Sequence, residues 1–157
     1  MKKNVEKTTA PAGFTLLELI IVVTIMTIIA SAAALAFRSS LRLSQLQGAA
    51  DRLISDLYLV RDKAVLVQQE RTLQIDTNYN QYCAPMVAEL SSSEDISVCL
   101  AGPPFQVESI ACRLQGKNQV TFDAHGRASP SGYIDLSAGR HKITIKIEDG
   151  GHVEQVK

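Results

Sequence analysis

The sequence has no excess of charge of either sign, since 16 lysines and arginines meet 16 aspartates and glutamates. Nothing in that overall balance points to nucleic acid or to an anionic lipid surface as a partner. A glycine-rich phosphate loop is absent, so the usual backbone cradle for a nucleotide is missing. No Cys-x-x-Cys pair occurs and the histidines, His125, His141 and His152, are widely separated, which leaves no ligand spacing for zinc. His125 does lie between Asp123 and Ser129. Neighbours in one turn do not make a catalytic triad, however, because that geometry needs side chains converging from separate elements. These absences argue for a non-enzymatic protein with no metal and no cofactor.

Glycine and proline are also missing from residues 14–37, FTLLELIIVVTIMTIIASAAALAF, where Glu18 is the single charged residue. A helix over this run is ~36 Å long, enough to cross a hydrocarbon core of ~30 Å. Two ordinary readings compete. An exported globular protein with a cleaved signal peptide would share the basic start and the small residues Ala30-Ser31-Ala32, but signal cores are usually only ~7–15 residues long. An ordinary single-span anchor has no reason to keep a carboxylate near the start of its helix. A charged side chain deep in lipid costs roughly 2.5–3.5 kcal/mol on insertion scales, so it normally has a partner and a function. Cleavage between Gly13 and Phe14 would supply that partner. It creates an α-amino group at Phe14, and Glu18 becomes the fifth residue of the new terminus. In a stack of such helices, one subunit's Glu18 would neutralise its neighbour's amine.

The residues Gly13-Phe14-Thr15-Leu16-Leu17-Glu18, followed by an apolar helix, closely resemble the processing motif of type IV prepilins and type II secretion pseudopilins. The resemblance implies a leader of residues 1–13 removed by a prepilin peptidase, N-methylation of Phe14, and a filament-assembly role for Glu18. Loss of the leader takes away Lys2, Lys3 and Lys7 against Glu6, leaving 13 basic and 15 acidic side chains. Lysines on the leader and none in the span place the leader in the cytoplasm by the positive-inside rule. The expected location is therefore the bacterial inner membrane, single-pass, with the C-terminal domain in the periplasm. One departure stands out: many family members break this span with proline or glycine, whereas here the region reads Ala32-Ala33-Ala34-Leu35-Ala36. A continuous helix is the simpler expectation.

Past the span, residues 38–69 read as an amphipathic continuation. Leu46, Ala50, Leu53, Leu57, Val60, Ala64 and Val67 recur at steps of three and four, which predicts one buried face reaching about Gln69. Arg52, Asp56, Arg61 and Asp62 are expected to face solvent, with Arg52 and Asp56 as an i,i+4 pair. Residues 70–157 change to a period of two. Leu73 and Ile75, Val120 and Phe122, Ile134 and Leu136, and Ile143, Ile145 and Ile147 alternate with polar residues as half-buried strands do. Turn chemistry at residues 78–80, 123–126, 129–132, 138–140 and 149–151 separates them, the last as a terminal hairpin. Residues 83–117 lack clear periodicity.

This order implies an α+β, pilin-like fold: a long N-terminal transmembrane helix continuing into an amphipathic helix packed on an antiparallel β-sheet domain. Val60-Arg61-Asp62-Lys63-Ala64 and Val120 to Arg127, followed by Gly132-Tyr133-Ile134-Asp135-Leu136, resemble the branch containing the pseudopilin GspH and the minor pilins FimT and FimU. That branch implies a minor subunit of a type II secretion pseudopilus or type IV pilus, with other pilins as partners through helix packing. Some members of the FimT kind take up DNA through a basic element near the C-terminus. The corresponding residues here, Glu148-Asp149-Gly150-Gly151-His152-Val153-Glu154, are acidic and oppose phosphate contact, so DNA is not an expected partner.

Cys83, Cys99 and Cys112 all follow the span. In an oxidising compartment a Cys99–Cys112 bridge would close a loop of about fourteen residues, worth ~3 kcal/mol in the chain-entropy account, with Cys83–Cys99 as the alternative. The odd count leaves one thiol unpaired.

Overall fold

In the computed structural model, residues 13–84 and 96–156 are described. Helix α1 spans Leu16–Val67 without interruption, including Ala32–Ala36. Among the described residues nine strands follow: β1 (Arg71–Asp76), β2 (Gln81–Ala84), β3 (Ile96–Cys99), β4 (Ser109–Arg113), β5 (Gln119–Phe122), β6 (Ala128–Ser129), β7 (Gly132–Ala138), β8 (His141–Ile147) and β9 (Val153–Val156). The chain divides into two compact units after Arg38.

In the first unit, α1 is apolar enough to cross a membrane, and the side chains of its apolar stretch are exposed. Its hydroxyls do not need water. Thr24 donates to the carbonyl of Ile20, Thr27 to that of Thr24, and Ser31 to that of Ile28, all within 2.8 Å. Each polar side chain of this kind is satisfied by its own helix, as lipid requires.

In the second unit, the helix buries Leu46, Ala49, Ala50, Leu53, Leu57, Val60 and Ala64. They meet the inner faces of two antiparallel sheets, ordered β3-β2-β1-β5-β6 and β4-β7-β8-β9. Leu73, Ile75, Val120 and Phe122 come from the first sheet; Ile134, Leu136, Ile143, Ile145 and Ile147 come from the second. The alternation in the sequence therefore marks the buried side of each strand correctly. It does not reveal that there are two sheets, since period two is the same in either.

The ends of the predicted helical face shift. Val67 is 45% exposed, because the helix stops there. Gln68 turns left-handed at φ 56°, and the Gln69 amide reaches back to the carbonyl of Ala64 at 3.2 Å, the closing bond of a Schellman cap. The Gln68 side chain also donates to the Val65 carbonyl at 2.7 Å, so glutamine does what glycine usually does here.

Asp56 corrects a second expectation. It is 4% exposed rather than open to solvent, and its Oδ2 accepts from Tyr82 Oη at 2.6 Å and from Arg52 Nε at 3.0 Å. The reason is its position, three residues after Leu53 and four before Val60, on the core face. A buried carboxylate is tolerated because it is hydrogen-bonded and paired.

Side chains close both edges of the second sheet. Beside β4, Asn80 Nδ2 donates to the Glu108 carbonyl at 2.9 Å, and its Oδ1 accepts from the Ile110 amide at 3.0 Å. Beside β9, the Tyr58 hydroxyl donates to the Val153 carbonyl at 2.8 Å and accepts from the Val153 amide at 3.2 Å. Unpaired strand edges recruit other chains, and each of these contacts occupies one donor and one acceptor. The sheets also approach one another at Gly151 (φ 77°), where a Cβ would lie 1.9 Å from the carbonyl of Gly126. A side chain has no room there.

Candidate processing and assembly site

The N-terminal site is built from one short stretch. Gly13, Phe14 and Thr15 precede the helix, and Phe14 is 79% exposed. Thr15 is the helix cap: its Oγ1 accepts from the Glu18 amide at 3.2 Å, and its carbonyl accepts from the Leu19 amide at 3.2 Å. Thr15-Leu16-Leu17-Glu18 thus has the spacing of a capping box, with the hydroxyl bonding the third helical residue. The Thr-x-x-Glu spacing was available in the sequence as the signal for this role of Thr15.

The cap fixes where Glu18 stands. It lies in the first turn of α1, exposed, where free backbone N–H groups and the positive end of the helix dipole favour a carboxylate. Gly13, Phe14 and Glu18 therefore share one helix end. Among the side chains of this turn, Glu18 alone carries charge, so it is the group with most to gain from a cationic partner in lipid.

The remaining residues singled out in the sequence do not join this site. His125 sits in a turn organised by Asp123, whose Oδ1 accepts from the amides of His125 and Arg127 at 2.9 and 2.8 Å. Those bonds, that to Arg127 foremost, hold the Asp123 carboxyl below its usual range. Asp123 Oδ1 thus serves the turn backbone, and the bond it makes with His125 is to the amide rather than to the ring. His152 Nδ1 lies 3.3 Å from Tyr58 Oη, and His141 Nε2 lies 3.4 Å from Ser39 Oγ, on separate parts of the domain. No metal-holding group of histidine, cysteine and carboxylate side chains occurs among the described residues.

The three cysteines are free thiols, so neither expected bridge is formed. Cys83 and Cys99 are exposed on the outer face of the first sheet, opposite Ser97 and Gln81 respectively, two residues out of register. That diagonal spans ~7–8 Å between Cα atoms, more than a disulfide ordinarily bridges. Cys112 belongs to the second sheet, between Ile110 and Leu114 on its inward side. Burial, with a smaller contribution from Asp135, pushes its thiol up to about 11.

On the outer face of the second sheet, Asp135 is ringed by Arg113 Nη2 at 3.0 Å, Lys142 Nζ at 3.1 Å and Thr144 Oγ1 at 2.7 Å. Burial raises its pKa, but the bonds from Thr144, Lys142 and Arg113 outweigh that and the net shift is downward. The constellation is an ion cluster that ties β4, β7 and β8 together.

Comparison with known proteins agrees with this arrangement. Residues 49–151 match the family described as type II transport protein GspH, and residues 10–34 match the prokaryotic N-terminal methylation motif. Gly13, Phe14 and Glu18 fall inside the second match. The fold is similar to that of the type IV minor pilin FimU of Pseudomonas aeruginosa, with a TM-score of 0.56 and 15% identity, covering 73% of this chain and 90% of that one. It is also similar to the minor pseudopilin EpsH of the Vibrio cholerae type 2 secretion system, with a TM-score of 0.54 and 10% identity, covering 71% and 96%. No curated protein resembles the chain closely enough in sequence to count as a relative. A capped apolar helix with one carboxylate in its first turn, set before a two-sheet domain that matches over most of its length, leads to one assignment: the chain belongs to the type II transport protein GspH family and is a minor pseudopilin or minor pilin.

Proposed function

We propose that a prepilin peptidase hydrolyses the bond between Gly13 and Phe14, that the new Phe14 amine is methylated, and that Glu18 then pairs with the N-terminal amine of a neighbouring subunit in the inner membrane. The C-terminal domain stands on the periplasmic side, and the chain enters a type II secretion pseudopilus or type IV pilus as a structural subunit. Work on the filament is done by other components; this chain supplies packing surface.

The observation that carries the reading is the state of polar groups along the apolar helix. Thr24, Thr27 and Ser31 are satisfied by their own backbone, whereas Glu18 has no hydrogen-bonded partner for its carboxylate among the described residues. Further along, Leu59 and Leu66 are 43% and 76% exposed on the side of the helix away from the core. A neighbouring helix would cover that apolar surface.

The intact mass of the membrane-extracted chain tests this. The expected product begins at Phe14 and carries one added methyl group. A product beginning near Ala33 or Leu35 would instead identify an exported protein with a cleaved signal peptide.

A further inference from the structure

The two sheets of the domain differ on their outer faces. On the second, Asp135, Arg113 and Lys142 are charged and satisfy one another. On the first, the alternation that buries Leu73, Ile75 and Val120 turns Gln74 and Gln119 outward, and these carry no charge. Gln74 stands directly across from Gln119 of β5 on one side and from Cys83 of β2 on the other. Three strands therefore present one row of neutral polar side chains, ~10 Å long at the usual strand spacing.

The row forms the floor of a cleft of about 520 Å³. Asn118 lines it on the β5 side, while Asn78 and Gln81 line it from the β1–β2 hairpin. Gln74, Asn78, Gln81, Asn118 and Gln119 thus bring five carboxamides together, and none of those side chains makes a hydrogen bond among the described residues. A carboxamide offers two donor hydrogens and an acceptor oxygen. Asp76 is the one carboxylate of the lining, and its Oδ1 already accepts from the amides of Asn78 and Tyr79 at 2.9 and 3.3 Å. Tyr79, in the same turn, is exposed and offers an aromatic face beside these polar groups.

We propose that this cleft binds a neutral oligosaccharide, with Gln74 and Gln119 as its central hydrogen-bonding pair. Sugar hydroxyls both donate and accept, which is what a row of unbonded carboxamides requires, and the strand spacing of ~4.8 Å is close to the length of one pyranose unit. Nucleic acid is disfavoured because no lysine or arginine lines the cleft. An apolar segment of a partner protein is disfavoured because the large apolar members of the lining, Ile75 and Tyr82, are buried and leave no anchor pocket. The site lies wholly within the second unit and does not depend on processing at Gly13.

The test uses the full chain in a zwitterionic detergent that carries no sugar. Chitotetraose, cellotetraose and maltotetraose are titrated in turn while the side-chain amide signals are followed by NMR. Saturable shifts are expected at Gln74 and Gln119, and none at Gln155 on β9. A response to chitotetraose alone would assign an acetamido glycan of the cell-wall kind; a response to the glucose oligomers as well would assign polysaccharide more broadly, and either supports the proposal. Gln74→Ala and Gln119→Ala are each expected to weaken binding about fivefold, the effect of one lost hydrogen bond. Thermal melting of each variant shows that it is folded. No shift with any of the three sugars, unchanged affinity in the Gln74→Ala/Gln119→Ala double variant, or equal affinity for the charged tetragalacturonate would each overturn the proposal. Protection of the two side-chain amides in sheared filaments, without any response to sugar, would assign the row to a neighbouring subunit and overturn it too.

Discussion

The hydroxyl of Tyr82 donates to the carboxylate of Asp56 over 2.6 Å, joining β2 to the helix at a point where both side chains are almost fully buried. Burial, followed by the bond to Asp56 and its charge, pushes the Tyr82 hydroxyl far above its ordinary range, so it remains a donor at every physiological pH. Removing one partner leaves the other buried and short of a bond. Tyr82→Phe is expected to cost ~1.5–3 kcal/mol, the value of a hydrogen bond to a charged group. Thermal melting of the detergent-extracted chain measures it, and a melting point unchanged from that of the parent would show that water replaces the hydroxyl.

Asn80 carries a comparable burden through its carboxamide, which stands in for a strand beside β4. Its backbone is left-handed at φ 50°, a conformation asparagine tolerates better than most residues. Asn80→Ala removes both bonds to Glu108 and Ile110 and adds strain. The expected loss is ~1–3 kcal/mol, with faster amide exchange at Ile110 than at residues of β7. Uniform exchange across both strands would count against the bridging role.

Asp135 provides a pH-dependent contribution. Its folded pKa lies below the ordinary aspartate value, so the stabilisation is fully present above that ordinary value and is lost as pH falls through the folded one. Melting points of the parent and of Asp135→Asn are expected to differ most near neutral pH and to converge in acid. A difference that is constant with pH would remove the ion cluster as its cause.

Thr15 and Glu18 separate capping from assembly. Thr15→Val deletes the hydroxyl that accepts from the Glu18 amide, and is expected to fray the first turn at a cost of ~1 kcal/mol while leaving the carboxylate in place. Glu18→Ala removes the charge and is expected to abolish incorporation into filaments, read by cross-linking in the sheared filament fraction. Normal incorporation of Glu18→Ala would end the amine-pairing proposal.

The thiols should divide by face. Cys83 and Cys99 are exposed and are expected to react readily with maleimide in the folded chain. Cys112, half-buried with its thiol pushed up to about 11, is expected to react slowly until the chain is unfolded. Equal rates at all three positions would contradict the inward placement of Cys112.

Much of this protein was legible in its order of residues. The apolar run with Glu18 at its front, the Gly13-Phe14 junction and the alternation of Leu73, Val120, Ile134 and Ile145 are local patterns, and helix and strand periods act over a few residues. Even the Thr15 cap was written there, in a spacing of three. What only the tertiary structure decided are relations between residues far apart in the chain. The Asp56 carboxylate is satisfied on the core face because Tyr82 meets it there, the cysteines stay apart because their strands present different faces or are out of register, and the β7–β8 turn lies beside Ser39 and Arg42 because Glu108 and His141 hold it there. Periodicity tells each residue which side of its own element it occupies; which distant residue waits on that side depends on how the elements pack.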